Sequence, residues 1–275
     1  MPREQGTNRG YGGLAGYEAG APPEEGSLNP RVWLAGATGA VGRRLLPLLV
    51  QGGATVFATS RSAERAGALR RQGVEPVVVD VFDAAALTRR MAAAAPDIVI
   101  HQLTDLALIH DPGRIGEALA RNARLRIEGT RNLVAAAREA GAHRVVAQSI
   151  AWVYAKGPEP HAEDDPLDVD AKGPAAVTIR GVVALEDAVL SEPAFEGVVL
   201  RYGWLYGPGT GTTVAAGSPP LHVDAAAHAA ALAIHTGAPG VYNIAEPSPA
   251  VSVEKARREL GWDPRFRSAA GPAST

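Results

Sequence analysis

Residues Val32-Trp33-Leu34-Ala35-Gly36-Ala37-Thr38-Gly39-Ala40-Val41-Gly42-Arg43-Arg44-Leu45-Leu46 constrain the fold more than any other stretch, because they read as a buried strand, a glycine turn and a helix start in immediate succession. Gly36, Gly39 and Gly42 permit torsions and close approaches that a Cβ forbids, and such a turn aims free N–H groups at an anion on the helix N-terminus. Leu45, Leu46, Leu48, Leu49 and Val50 then supply the apolar face of the helix. A glycine triplet alone is a weak signal among 31 glycines, and the flanking strand and helix are what make it a dinucleotide fingerprint. Gly36, Thr38, Gly39, Ala40, Val41 and Gly42 are therefore expected to hold the pyrophosphate of a nicotinamide dinucleotide.

Beyond this turn the pattern alternates between strand and helix, the signature of a parallel sheet covered on both faces. Strands are expected at 31–35, 55–59, 76–80, 97–101, 144–149 and 196–201, and helices at 63–72, 84–95, 115–140 and 179–190. The expected architecture is α/β, a Rossmann-type doubly wound parallel sheet with a small, shortened C-terminal substrate cap. Residues 1–30, rich in Gly, Glu, Pro and Arg, read as a disordered leader around Tyr11 and Tyr17. Residues 31–206 read as the dinucleotide-binding domain and 207–275 as the cap, with the Pro- and acid-rich loop 157–174 adding to the pocket.

Composition narrows the function classes. A net charge of −2 over 275 residues gives no bias toward nucleic acid or an anionic membrane, and no apolar run is long enough to span a bilayer. The absence of cysteine removes disulfides, zinc–thiolate sites and cysteine nucleophiles, in keeping with a cytoplasmic setting. The seven histidines show no metal-ligand spacing, and Glu163-Asp164-Asp165 with His161 nearby reads as a solvated loop, so no metal is expected.

The end of the second strand bears on the choice of dinucleotide. NAD sites usually carry an acidic residue there to accept from the ribose 2′-OH, whereas this chain has Thr59-Ser60-Arg61-Ser62. A guanidinium grips a 2′-phosphate that a carboxylate repels. NADP(H) is the expected coenzyme through Arg61, with NAD(H) the alternative.

From residue 31 to about 266 the chain resembles the short-chain dehydrogenase/reductase superfamily, in its extended and atypical branch with the NAD-dependent epimerase/dehydratases. The likeness runs through the glycine turn, Val79-Asp80-Val81, Asp97-Ile98-Val99-Ile100-His101, Glu128-Gly129-Thr130-Arg131-Asn132-Leu133 and Val145-Val146-Ala147-Gln148-Ser149. It continues through Leu200-Arg201-Tyr202-Gly203-Trp204-Leu205-Tyr206-Gly207-Pro208-Gly209, Leu221-His222-Val223-Asp224 and Lys255 to Trp262. The resemblance implies that Asp80 and Val81 flank the adenine, that His101, Gln102, Leu103 and Thr104 line the ribose, and that Tyr202 and its neighbours lie against the nicotinamide. Gln148 joins the coenzyme-binding set at the end of the fifth strand.

The pattern breaks at its catalytic centre. The family uses a tyrosine four residues before a lysine as its proton relay, and no tyrosine of this chain has a lysine at that spacing. Anchoring on Ala184-Leu185-Glu186 puts Thr178 and Val182 at those two positions, and Ile150 falls where the family's catalytic Ser or Thr stands. Tyr154 and neighbouring Ser149 are the expected substitutes for proton management. Arg126 replaces a common Asn, and its long cation suits an anionic substrate. Trp152 and Tyr206 complete the expected substrate-binding set. Only residues 209–221 separate Pro208 from His222, too few for the usual insertion that holds a nucleotide sugar. The expected activity is NADP(H)-dependent oxidoreduction of a carbonyl or hydroxyl group on a small metabolite. The alternatives are a non-redox isomerase, cyclase or lyase, and a coenzyme-binding sensor without turnover. Helices 115–140 and 179–190 would pair two copies in a family-like homodimer.

Overall fold

The computed structural model describes residues 29–268, and the expected leader falls, but for Asn29 and Pro30, outside the described residues. In chain order the strands are β1 (Arg31–Ala35), β2 (Thr55–Ser60), β3 (Glu75–Val78), β4 (Ile98–His101), β5 (Arg144–Ile150), β6 (Glu196–Tyr202), β7 (Trp204–Tyr206), β8 (Pro220–His222) and β9 (Gly240–Ile244). The helices are α1 (Ala40–Gln51), α2 (Ala63–Arg70), α3 (Ala84–Ala94), α4 (Ile115–Arg124), α5 (Thr130–Glu139), α6 (Gly173–Leu190), α7 (Val223–Leu232) and α8 (Glu254–Glu259).

Seven strands form one parallel sheet in the order β3-β2-β1-β4-β5-β6-β9. Strands buried on both faces read as continuous apolar runs, which is why Val32, Trp33 and Leu34 all reach zero exposure in β1. Leu45, Leu46 and Leu49 of α1 and the alanines of α7 pack on the face that carries Val32 and Leu34. Leu87 and Met91 of α3, Leu133 of α5 and Leu185 of α6 cover the opposite face with Trp33 and Val99. The strand order reverses between β1 and β4, which opens a crevice at their carboxyl ends.

Three features differ from the sequence reading. The expected helix over 115–140 is continuous in space but loosens at Leu125–Gly129, a π-helical segment between α4 and α5. Helix α6 begins at Gly173, earlier than expected, because Gly173-Pro174 opens it with proline in its first turn. Elements within 207–268 return to the main sheet and its core. β9 joins the main sheet beside β6, and α7 packs into the same core as α1. What covers the crevice is small: β7 pairs with β8, and residues 157–172 fold over β6 and β9.

Candidate active site

The groove at the switch point begins with the glycine turn. Gly36 has φ +96°, and a Cβ there would lie 2.6 Å from the Gln102 carbonyl oxygen. A Cβ on Gly42 would collide with the Gly36 carbonyl oxygen. Gly39 N–H donates to Gly36 O at 3.0 Å and Arg43 Nε donates to Thr38 O at 2.9 Å, so the turn is braced from both ends. Gly39 caps α1 without a side chain, leaving the first helical amides facing outward with no acceptor inside the helix.

A cavity of about 480 Å³ extends from this turn along the ends of β1 to β4. Gly36, Thr38, Gly39, Arg61, Asp80, Val81, Gln102, Leu103 and Thr104 all line it, so the structure brings these nine expected coenzyme residues together. Ala40, Val41 and Gly42 stand just behind it in the first turn of α1. Ser62 caps α2 through its Oγ, which accepts from Arg65 N–H at 3.3 Å, and Arg65 joins Arg61 on the wall. No carboxylate ends β2, whose last residues are Thr59 and Ser60. Asp80 is exposed and accepts from Phe82 N–H at 3.0 Å. Gln102 donates to the Tyr202 hydroxyl at 3.2 Å, while its Oε1 is buried without a partner on the cavity wall.

An unsatisfied buried acceptor, amides without acceptors and a cradle that any Cβ would fill all suit a dinucleotide. Tyr202 does not reach the cavity. It is 1 % exposed, donates to Ala226 O at 3.2 Å and supports Gln102 from below, with burial raising its phenol well above the usual range. Gln148 is half-buried at the end of β5, off the cavity wall.

A second polar network is built around β5, β6 and α6. Glu186 and Arg201 form a buried ion pair, each side chain about 5 % exposed, at 2.7 Å. Ser149 is fully buried and donates to Glu186 Oε1 at 2.6 Å. Tyr154 donates to Asn243 Oδ1 at 2.6 Å, accepts from Arg201 at 2.9 Å and stacks on His161 at 4.9 Å between ring centroids. Burial raises the Tyr154 phenol against the lowering pull of Arg201, so it stays protonated through neutral pH. Both hydroxyls expected to manage a proton are thus engaged with the same ion pair. The physical reason is that a buried charge pair requires every lone pair and donor around it to be used.

Ile150 and Val182 lie in one apolar cluster with Val153 and Ile179, flanked by Trp152. Trp152 stacks on Trp204, with centroids 4.1 Å apart. Tyr206 donates to Glu246 at 2.8 Å and accepts from Arg267 at 3.2 Å, which ties it to the C-terminal segment. Arg126, in the π-helical segment, is 5 % exposed and lies against Gly181 of α6. His101 accepts from Leu103 N–H through Nδ1 at 3.2 Å, so Nε2 carries the proton toward Thr130 Oγ1 at 3.0 Å. Burial, then the Arg126 charge, pulls His101 down to about 4.

The acidic loop is not merely solvated. Glu163 accepts from Asn243 N–H at 2.9 Å, and Asp165 bonds His161 at 2.8 Å. Sequence reasoning did not single out Glu186, Arg201 or Asn243. The available signal was a charge inside the apolar run Val198–Tyr202, which cannot remain buried unpaired.

A doubly wound sheet with a braced glycine turn and a lined crevice defines a dinucleotide-dependent enzyme class. The chain belongs to the NAD dependent epimerase/dehydratase family, whose model matches residues 32–239, and it is an enzyme of the NAD(P)-dependent oxidoreductase type. It is 42 % identical over 262 residues to a 3-diazoavenalumate denitrifying reductase from a Streptomyces species, across 88 % of this chain and 82 % of that protein. It is 32 % identical to a dTDP-4-dehydrorhamnose reductase from Streptomyces griseus, across 66 % of this chain and 51 % of that protein. Its fold matches UDP-glucose 4-epimerase from Thermus thermophilus in complex with NAD, with a TM-score of 0.64, 22 % identity, and coverage of 86 % and 95 % of the two chains.

Proposed function

We propose that this chain is an NADPH-dependent reductase that removes a diazo group from a small molecule, replacing nitrogen with hydrogen. What carries the reading is the 42 % identity to a denitrifying reductase, supported by the apolar cluster of Ile150 and Val182 at the positions where the family resemblance would put the proton relay. The reduced coenzyme supplies a hydride whose electron pair makes the new C–H bond at the diazonium carbon, while the C–N pair leaves with dinitrogen. No proton is needed at that carbon, so an enzyme of this kind works without a tyrosine–lysine relay. A carbonyl substrate needs an acid at the developing alkoxide.

The residues take the following roles. Gly36, Thr38, Gly39, Ala40, Val41 and Gly42 bind the pyrophosphate through backbone amides. Asp80 and Val81 flank the adenine, Arg61 with Arg65 receives the 2′-phosphate, and Gln102, Leu103 and Thr104 hold the central ribose, with Tyr202 fixing Gln102 from beneath. Gln148 borders the nicotinamide end. Tyr154 and Ser149 are positioning residues that hold Arg201 and Glu186. Trp152 and Tyr206 border the substrate, and the apolar cluster keeps water from the reacting carbon.

A second reading retains a carbonyl substrate, favoured by the protonated Tyr154 hydroxyl beside Arg201. The two are separated by incubating the enzyme with NADPH and 4-diazoniobenzoate, then with a panel of aldehydes and ketones. Dinitrogen released one for one with NADPH oxidised, and undiminished within about threefold by Tyr154→Phe, is the expected result. Carbonyl turnover that falls at least about a hundredfold in Tyr154→Phe, without nitrogen release, would replace the first reading with the second.

A further inference from the structure

Arg126 is a cation that the fold buries without giving it an anion. It is 5 % exposed, yet among the described residues its guanidinium has neither a hydrogen-bond acceptor nor an ion-pair partner. The nearest carboxylate in charge terms, Glu186, has both oxygens committed: Oε1 accepts from Ser149 and Arg201 Nε, and Oε2 from Arg201 Nη2. His101, the other titratable neighbour, is neutral at neutral pH. Arg126, Arg201 and Glu186 therefore leave one positive charge uncompensated in a buried region. Burial lowers Arg126 to about 10, opposed by Glu186, so it remains charged at neutral pH. A buried charge is normally paired, and an unpaired one is costly enough that its retention calls for a ligand.

The position narrows that ligand. Arg126 sits in the π-helical segment, a departure from regular helix of the kind that occurs often at functional sites. It packs against α6 at Gly181, where an added Cβ would come within 3.4 Å of Arg126 Cδ. Gly181 lies between Ile179 and Val182, two members of the apolar cluster with Ile150 that Trp152 flanks. A planar fork of donors held at this buried position fits a carboxylate.

We propose that Arg126 anchors the carboxylate of the substrate. This deepens the proposed function and rests on it in taking this region as the substrate end of the groove. Calorimetric titration of the NADP⁺-saturated enzyme with cinnamate and with cinnamamide, probes of matched shape that differ in charge, tests it. Cinnamate is expected to bind roughly ten- to a hundredfold more tightly than the amide, as charge-assisted hydrogen bonds do. Arg126→Gln is expected to bring cinnamate down to the level of the amide, leave the amide unchanged, and keep NADP⁺ affinity within about twofold. Arg126→Lys should retain part of the preference, and Arg126→Met should melt no lower than wild type.

Equal binding of acid and amide by the wild type, or a preference that survives Arg126→Gln, would overturn the assignment. So would a parallel loss of NADP⁺ affinity, which would give the cation to the coenzyme, or a lower melting point in Arg126→Met, which would reveal an internal partner. An acid preference that depends on Arg126 in an enzyme that releases no dinitrogen would uphold the anion site and reject the diazo reaction alone.

Discussion

Single residues carry three separable effects. Arg61 replaces the carboxylate that would repel a 2′-phosphate, and no other side chain on that wall except Arg65 brings a positive charge to it. Arg61→Ala is expected to weaken NADPH binding by roughly ten- to a hundredfold and to leave NADH nearly unchanged, as read by coenzyme fluorescence titration. His101 makes a different kind of prediction. Its folded pKa of about 4 lies below the ordinary 6.5, so the unfolded chain binds the proton first as pH falls. Stability attributable to His101 is then constant above about pH 6.5 and declines by about 1.4 kcal/mol per unit toward pH 4. Urea unfolding at pH 7.5 and 5.5 should show this decline in the wild type and a shallower one in His101→Asn. Arg126 drew attention in the sequence because a cation stands where the family resemblance expects an amide. Its lack of an internal partner was not legible, since that depends on where Glu186 and Arg201 meet.

At the scale of elements, the strand–turn–helix unit of β1 and α1 was readable because the glycines there are forced by backbone contact. Gly36→Ala is expected to abolish coenzyme binding while the sheet persists, checked by titration alongside circular dichroism. The failures of sequence reading lie where tertiary contacts decide. β9 was missed because Gly240–Ile244 is short and contains both Gly240 and Asn243, and only pairing with β6 makes it a strand. The π-helical turn was invisible because its residues have the composition of ordinary helix. The ion pair of α6 with β6 also organises β5 and the loop after it, through Ser149 and Tyr154. Glu186→Gln should therefore destabilise the fold by about 3–5 kcal/mol and loosen residues 157–172, measurable by denaturant unfolding and hydrogen exchange.

For the whole molecule, the proposed function joins a coenzyme crevice at the switch point of the sheet to an apolar cluster at the end of β5 and on α6. The parallel sheet covered on both faces was legible from the alternating pattern of the chain, whereas its strand order was not. The return of β9 and α7 to the main core was also not legible, because it depends on tertiary contacts with β6 and α1. Helices α4 and α6 leave Ile115 and Leu190 exposed, and the π-helical turn leaves Ile127 exposed. The proposed pairing of two copies through this side is checked by sedimentation, where a dimer is the expected species. The central claim is that hydride passes directly to a carbon that loses dinitrogen, with no proton supplied by the protein. Turnover of 4-diazoniobenzoate with NADPH deuterated at the transferable position, analysed by mass spectrometry, tests it most directly. Benzoate carrying one coenzyme-derived deuterium at the former C–N position, with none acquired from deuterated water in the complementary experiment, is the predicted result. Solvent deuterium at that carbon, or coenzyme oxidation without dinitrogen, would contradict the account.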